Sequence, residues 1–185
     1  MPGKGGALQN DGNAPMSELL SKLSGSARVA KPTESSKYFK PNDFRWAETD
    51  TQSGDPTIYI NDKKFWERGA FGYRDKMAKL ETLHLLKDVD PEKYKGLYDS
   101  AMDNPDYREW MKESYQHSLN DPEYKETRSL DDWHKQSRFD QVLGGYLMAG
   151  DENIPTAKGW RRDFPGYSGP FRDKLEKLRK ELGFK

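Results

Sequence analysis

The sequence contains no cysteine, so disulfides, thiolate nucleophiles and cysteine-ligated zinc are excluded. It has no apolar run near the roughly 18 residues that a membrane-spanning helix needs, and its N-terminus lacks the apolar stretch of a secretory signal. The expected location is the cytoplasm, or a particle assembled there. Histidine is scarce, with only His84, His117 and His134 present. Charge of one sign is also missing: 31 Lys and Arg balance 31 Asp and Glu, which removes the simplest electrostatic argument for a nucleic-acid binder. The balance is uneven along the chain, about +1 over residues 1–64, about −4 over 65–150 and about +3 over 151–185. Apolar residues are few as well, 33% against 34% charged, so the core must be small for 185 residues.

Residues 1–56 read as an extended, flexible N-terminal arm. They open with MPGKGGALQNDGNAP, which offers almost nothing to bury. A short helix is predicted near 17–24, N-capped by Ser17, with Leu19, Leu20 and Leu23 on one face and Gly25 at its end. So short a helix forms only against something else. Tyr38, Phe39, Phe44 and Trp46 then place four large rings within nine positions of a polar stretch. An arm that docks on a partner uses such rings as anchors; the alternative is that they pack back onto this protein's own core.

Thr57–Ile60, the turn residues Asn61-Asp62 and Lys64-Phe65-Trp66 predict a small β-hairpin. Residues 57–149 thus comprise that hairpin and a helical bundle. Met77, Leu80, Leu83 and Leu86 supply the first helical stripe. Asp90-Pro91, Asn104-Pro105 and Asp121-Pro122 repeat one device: an Asp or Asn cap, Pro at the first helical position and an acid after it. Tyr94, Leu97, Tyr98, Ala101 and Met102 follow the first start, and Tyr107, Trp110, Met111 and Tyr115 the second. Ser129 begins a further helix bearing Leu130, Trp133, Val142, Leu143, Tyr146 and Leu147, and ending near Gly150. The pair Gly144-Gly145 inside it implies close packing or a bend.

Residues 150–185 hold an irregular aromatic loop, with Trp160, Phe164 and Tyr167 among glycines and prolines, followed by an amphipathic helix on Phe171, Leu175, Leu178 and Leu182 that Gly183 ends. The fold class expected is mainly α: a small helical bundle with a minor hairpin, a long N-terminal arm and an irregular C-terminal loop before the last helix.

A serine nucleophile needs a hydroxyl on a strained turn with histidine in reach, and no Gly-x-Ser-x-Gly element occurs. All three histidines are expected on solvated helix surface. Glu81-x-x-His84 has the spacing of di-iron bundle ligands, and Glu109, Glu113 and His117 follow at helical intervals, but a di-iron site needs that motif twice. No metal or cofactor is expected, and no glycine-rich phosphate loop precedes a helix.

The expected function is therefore that of a non-catalytic assembly protein, of the kind found in tailed-phage virions, docking on protein partners through Tyr38, Phe39, Phe44, Trp46, Trp160, Arg161, Arg162, Phe164 and Tyr167. One alternative is a nucleic-acid or protein binding module using Lys158, Trp160, Arg161, Arg162, Phe164, Tyr167, Phe171 and Arg172, which interleave bases with rings. Another is a cryptic lysozyme-like hydrolase acting through paired carboxylates.

Overall fold

The computed structural model describes residues 16–67, 73–123, 125–148 and 165–184. It is mainly helical with a small three-stranded sheet, as the periodicity implies. No helix of the described residues is long and apolar enough to cross a membrane.

From Ser17 onward the chain enters the fold, so residues 17–56 are not the extended arm expected over 1–56; residues 1–15 lie outside the described residues. Helix α1 (Glu18–Ser26) starts where Ser17 Oγ accepts from the Leu20 amide at 3.1 Å. The same hydroxyl donates to the Glu181 carbonyl at the far end of the chain. Leu19, Leu20 and Leu23 are buried, the last completely. The surface that this short helix needs is supplied by the chain itself. Gly25 lies inside the helix rather than ending it. Strand β1 (Arg28–Val29) and helix α2 (Pro32–Tyr38) follow, the latter capped at its start by the Glu34 carboxylate, which accepts from the Lys31 amide at 2.7 Å.

The sheet corrects the expected hairpin. Strand β3 (Thr57–Ile60) pairs antiparallel with the preceding β2 (Ala47–Asp50) and parallel with β1, in the order β1-β3-β2. Being central, β3 buries Ile58 and Ile60 completely. Lys64-Phe65-Trp66, expected as the second arm of the hairpin, lies in helix α3 (Asp62–Glu67). Asn-Asp lacks the glycine a tight hairpin turn wants and suits a helix start. The Asn61 carbonyl accepts from Lys64 at 3.0 Å, while its side-chain amide donates to the Arg45 carbonyl at 2.9 Å.

The first bundle stripe is realised as α4 (Tyr73–Glu81), a 3₁₀ turn (Thr82–Leu85) and α5 (Leu86–Val89), carrying Met77, Leu80, Leu83 and Leu86 into the core. Asp90 and Asn104 cap α6 (Pro91–Met102) and α7 (Pro105–Leu119), accepting from Lys93 at 3.0 Å and Tyr107 at 3.2 Å. The third Asp-Pro start fails. Asp121 Oδ1 accepts from the Glu123 amide in a local turn, and Glu126 takes the amides of Thr127 and Arg128 together with the Arg128 guanidinium. Lys125–Arg128 has no apolar residue for a helix to bury, so side-chain bonding to nearby backbone wins.

Ser129 caps α8 (Leu130–Trp133), accepting from Asp132 at 3.2 Å. The helix continues through one π-helical turn (His134–Arg138) into α9 (Phe139–Met148). A Cβ added at Gly144 would meet nothing within 4 Å, so packing does not require that glycine. Helix α10 (Gly169–Glu181) buries Phe171, Leu175 and Leu178, and Leu182 is buried at its C-cap, as expected. It ends in a left-handed Gly183, with the Phe184 amide reaching the Arg179 carbonyl at 3.0 Å.

Candidate functional site

The rings expected to dock outward divide into those the fold absorbs and one it does not. Phe39 is buried, and Trp46 packs against the core while partly exposed. Tyr38 stacks on Tyr59 of β3 with ring centroids 4.0 Å apart and planes 5° off parallel. Those three belong to the protein's own interior and its margin. Phe44, by contrast, is 83% exposed.

The loop bearing Phe44 is held on both sides. The Asp43 amide donates to the Lys40 carbonyl at 3.0 Å. Arg45 forks onto Asp43, with Nε 2.9 Å and Nη2 2.6 Å from its two oxygens, and reaches Glu48 at 3.3 Å. The guanidinium also lies over the rings of Tyr38 and Phe39, 5.7 and 5.5 Å from their centroids. Arg45 holds the Asp43 carboxyl down at about 2, so the brace stays charged at any physiological pH. Arg45 is not among the residues expected from the sequence to form a site, although a base between Phe44 and Trp46 with an acid two residues earlier has the local spacing for such a fork.

Of the C-terminal candidates, Trp160, Arg161, Arg162 and Phe164 lie outside the described residues, as does Lys158. Tyr167 stacks on Tyr146 at 5.4 Å, donates its hydroxyl to Glu176 and carries Arg172 over its ring at 5.7 Å. Phe171 is buried. The two described rings of that segment are thus engaged within the fold.

His117 lies on solvated surface as expected, whereas His84 and His134 do not. His117 is exposed, as are Glu109 and Glu113 beside it on α7. His134 is fully buried in the π-helical turn, between Tyr107 at 2.6 Å and Tyr98 at 3.2 Å, and burial lowers its pKa to about 4. His84 is half-exposed between two carboxylates. Its Nδ1 lies 3.3 Å from Asp140 Oδ2, and its Nε2 3.7 Å from Glu81 Oε2. Tyr94 donates to the other Asp140 oxygen at 3.2 Å, and Thr49 Oγ1 donates to Glu81 at 2.9 Å. The Asp140 contact raises the pKa of His84; burial raises that of Glu81.

Glu81 and His84 do meet, as their i, i+3 spacing implies, yet among the described residues no three His, Asp or Glu side chains are disposed to hold a metal ion. The arrangement can bind and release a proton. Asp140 and Thr49, which complete it, stand far from His84 in sequence and left no local signal. No known protein family matches the chain, and comparison with curated protein sequences and with solved structures returned no match.

Proposed function

We propose that this protein is a non-catalytic assembly component, such as tailed-phage particles contain, that docks on a protein partner through Phe44. The observation that carries the reading is the 83% exposure of that ring on a braced loop. Among the described residues the next most exposed large apolar side chain is Met16, at 38%. Leaving a phenyl ring in water forgoes roughly 2–3 kcal/mol of burial, and a partner's pocket recovers it. The Asp43–Arg45 fork and the rings beneath it hold the loop before contact, which lowers the entropy cost of association.

A hydrolase draws support from Glu81, whose burial makes it hold a proton longer than an ordinary carboxyl. The reading is weaker because its potential partner, Asp140, has both oxygens taken by Tyr94 and His84 and only 3% of its side chain exposed.

The test is affinity capture from the native source with the full-length chain and its Phe44→Ser variant. The expected result is one stoichiometric partner with the unmodified chain, lost in the variant while the far-UV circular dichroism is unchanged. Equal capture by both would refute docking through Phe44. Nucleic acid as the captured species, released steeply by salt, would move the function to the basic C-terminal segment.

A further inference from the structure

The ring of His84 stands where the sheet meets the bundle. Through Glu81 at the end of α4 it reaches Thr49 on β2; through Asp140 on α9 it reaches Tyr94 on α6. The two carboxylates are shielded, with side-chain exposures of 14% and 3%, whereas the imidazole keeps 42% and can exchange protons with water. We propose that His84 is a proton-operated clasp: as imidazolium it pairs both carboxylates and ties β2 to the bundle, and loss of its proton loosens the strand.

The physical reason is charge. An imidazolium donates Nδ1–H to Asp140 at 3.3 Å and stands 3.7 Å from Glu81, so its charge offsets both shielded carboxylates. A neutral ring can keep the bond to Asp140 but leaves both carboxylates shielded without a cation, a costly state. The charges acting on His84 are Asp140, Glu81 and Glu48, all negative. Among its other packed neighbours, α1 brings Glu18 and Lys22, which neutralise each other at 2.8 Å, and α5 brings Lys87 and Asp88, both exposed.

The raised pKa of His84 makes its stabilisation complete below the ordinary 6.5 and lost as pH rises through the elevated value. Strand β2 begins three residues after Phe44, so loosening it removes the mount of that ring. That last consequence rests on the docking reading above, whereas the clasp is measured without any partner.

The experiment is an NMR titration of the His84 imidazole in the full chain, with amide exchange at Ala47–Asp50 followed from about pH 6 to about pH 9 and corrected for intrinsic rate. The expected midpoint lies above 6.5, with protection of the strand falling about tenfold or more across it. In His84→Gln the step vanishes; in Asp140→Asn the midpoint drops. A wild-type midpoint at or below 6.5, or an undiminished step in His84→Gln, would overturn the proposal. If His84→Gln does not fold, Asp140→Asn decides, because an unchanged midpoint there also overturns it.

Discussion

The hydroxyl of Tyr107 lies 2.6 Å from Nε2 of His134, and both side chains are shut off from solvent. The phenol donates to Nε2, which leaves Nδ1–H to donate to Tyr98 at 3.2 Å, so a neutral ring is fully satisfied while burial disfavours the charged one. With a folded pKa of about 4 against 6.5 unfolded, this histidine contributes stability that is complete above 6.5 and lost as pH falls toward 4. The expected loss is about 3 kcal/mol, readable as the urea midpoint against pH. Tyr107→Phe leaves Nε2 without a donor and should cost about 1–3 kcal/mol near neutral pH. His84 works in the opposite direction, so the chain should be most stable between the two transitions.

Two glycines should respond oppositely to alanine. Gly144 lies within α9 with open space where a Cβ would stand, so Gly144→Ala should stabilise by about 0.5–1 kcal/mol. Gly166 has φ +82, and a Cβ there would stand 2.5 Å from the Tyr107 Cβ. Gly166→Ala should cost about 2–5 kcal/mol and undo the hydrogen bond from Asn104 to the Gly166 carbonyl. Thermal denaturation of the two variants reads both signs.

Leu23→Ala tests whether α1 belongs to the core. Its side chain is completely buried, so the variant should lose about 2–5 kcal/mol. A detached arm would show no change. Phe39→Ala should cost about 3–5 kcal/mol, while Phe44→Ser should stay within about 0.5 kcal/mol, although the two rings lie five positions apart.

Arg45→Lys keeps the charge and removes the planar fork and the stacking on Tyr38 and Phe39. The Asp43 carboxyl should then titrate above about 2, toward its ordinary 3.8, with little change in global stability. An NMR titration of Asp43 follows it. If the docking reading holds, affinity for the partner falls in the same variant.

The elements that could be read locally are those whose cause is local. Ser17, Asp90, Asn104 and Ser129 cap their helices because the capping oxygen and the amides it accepts from lie within three residues. The core stripes of α6, α7 and α10 follow from helical period alone, and Gly183 ends the last helix because its left-handed φ costs glycine least. Asp121 shows the limit, since its Asp-Pro start matches two working ones but no apolar face follows to stabilise a helix.

The sequence by itself determined the mainly helical class, most helix starts, the absence of thiol chemistry and the presence of a ring cluster at 38–46. Tertiary structure alone decided that β3 pairs with β1 and β2, that residues 17–56 are built into the fold, and that of four neighbouring rings Phe44 is the one left largely exposed. It also brought Asp140 to His84 and Tyr107 to His134 across 56 and 27 positions. The physical reason is one of range. Capping and periodicity act within a turn or two of backbone, whereas burial and the pKa of an ionisable group depend on whatever surface packs against it, which the neighbouring residues do not encode.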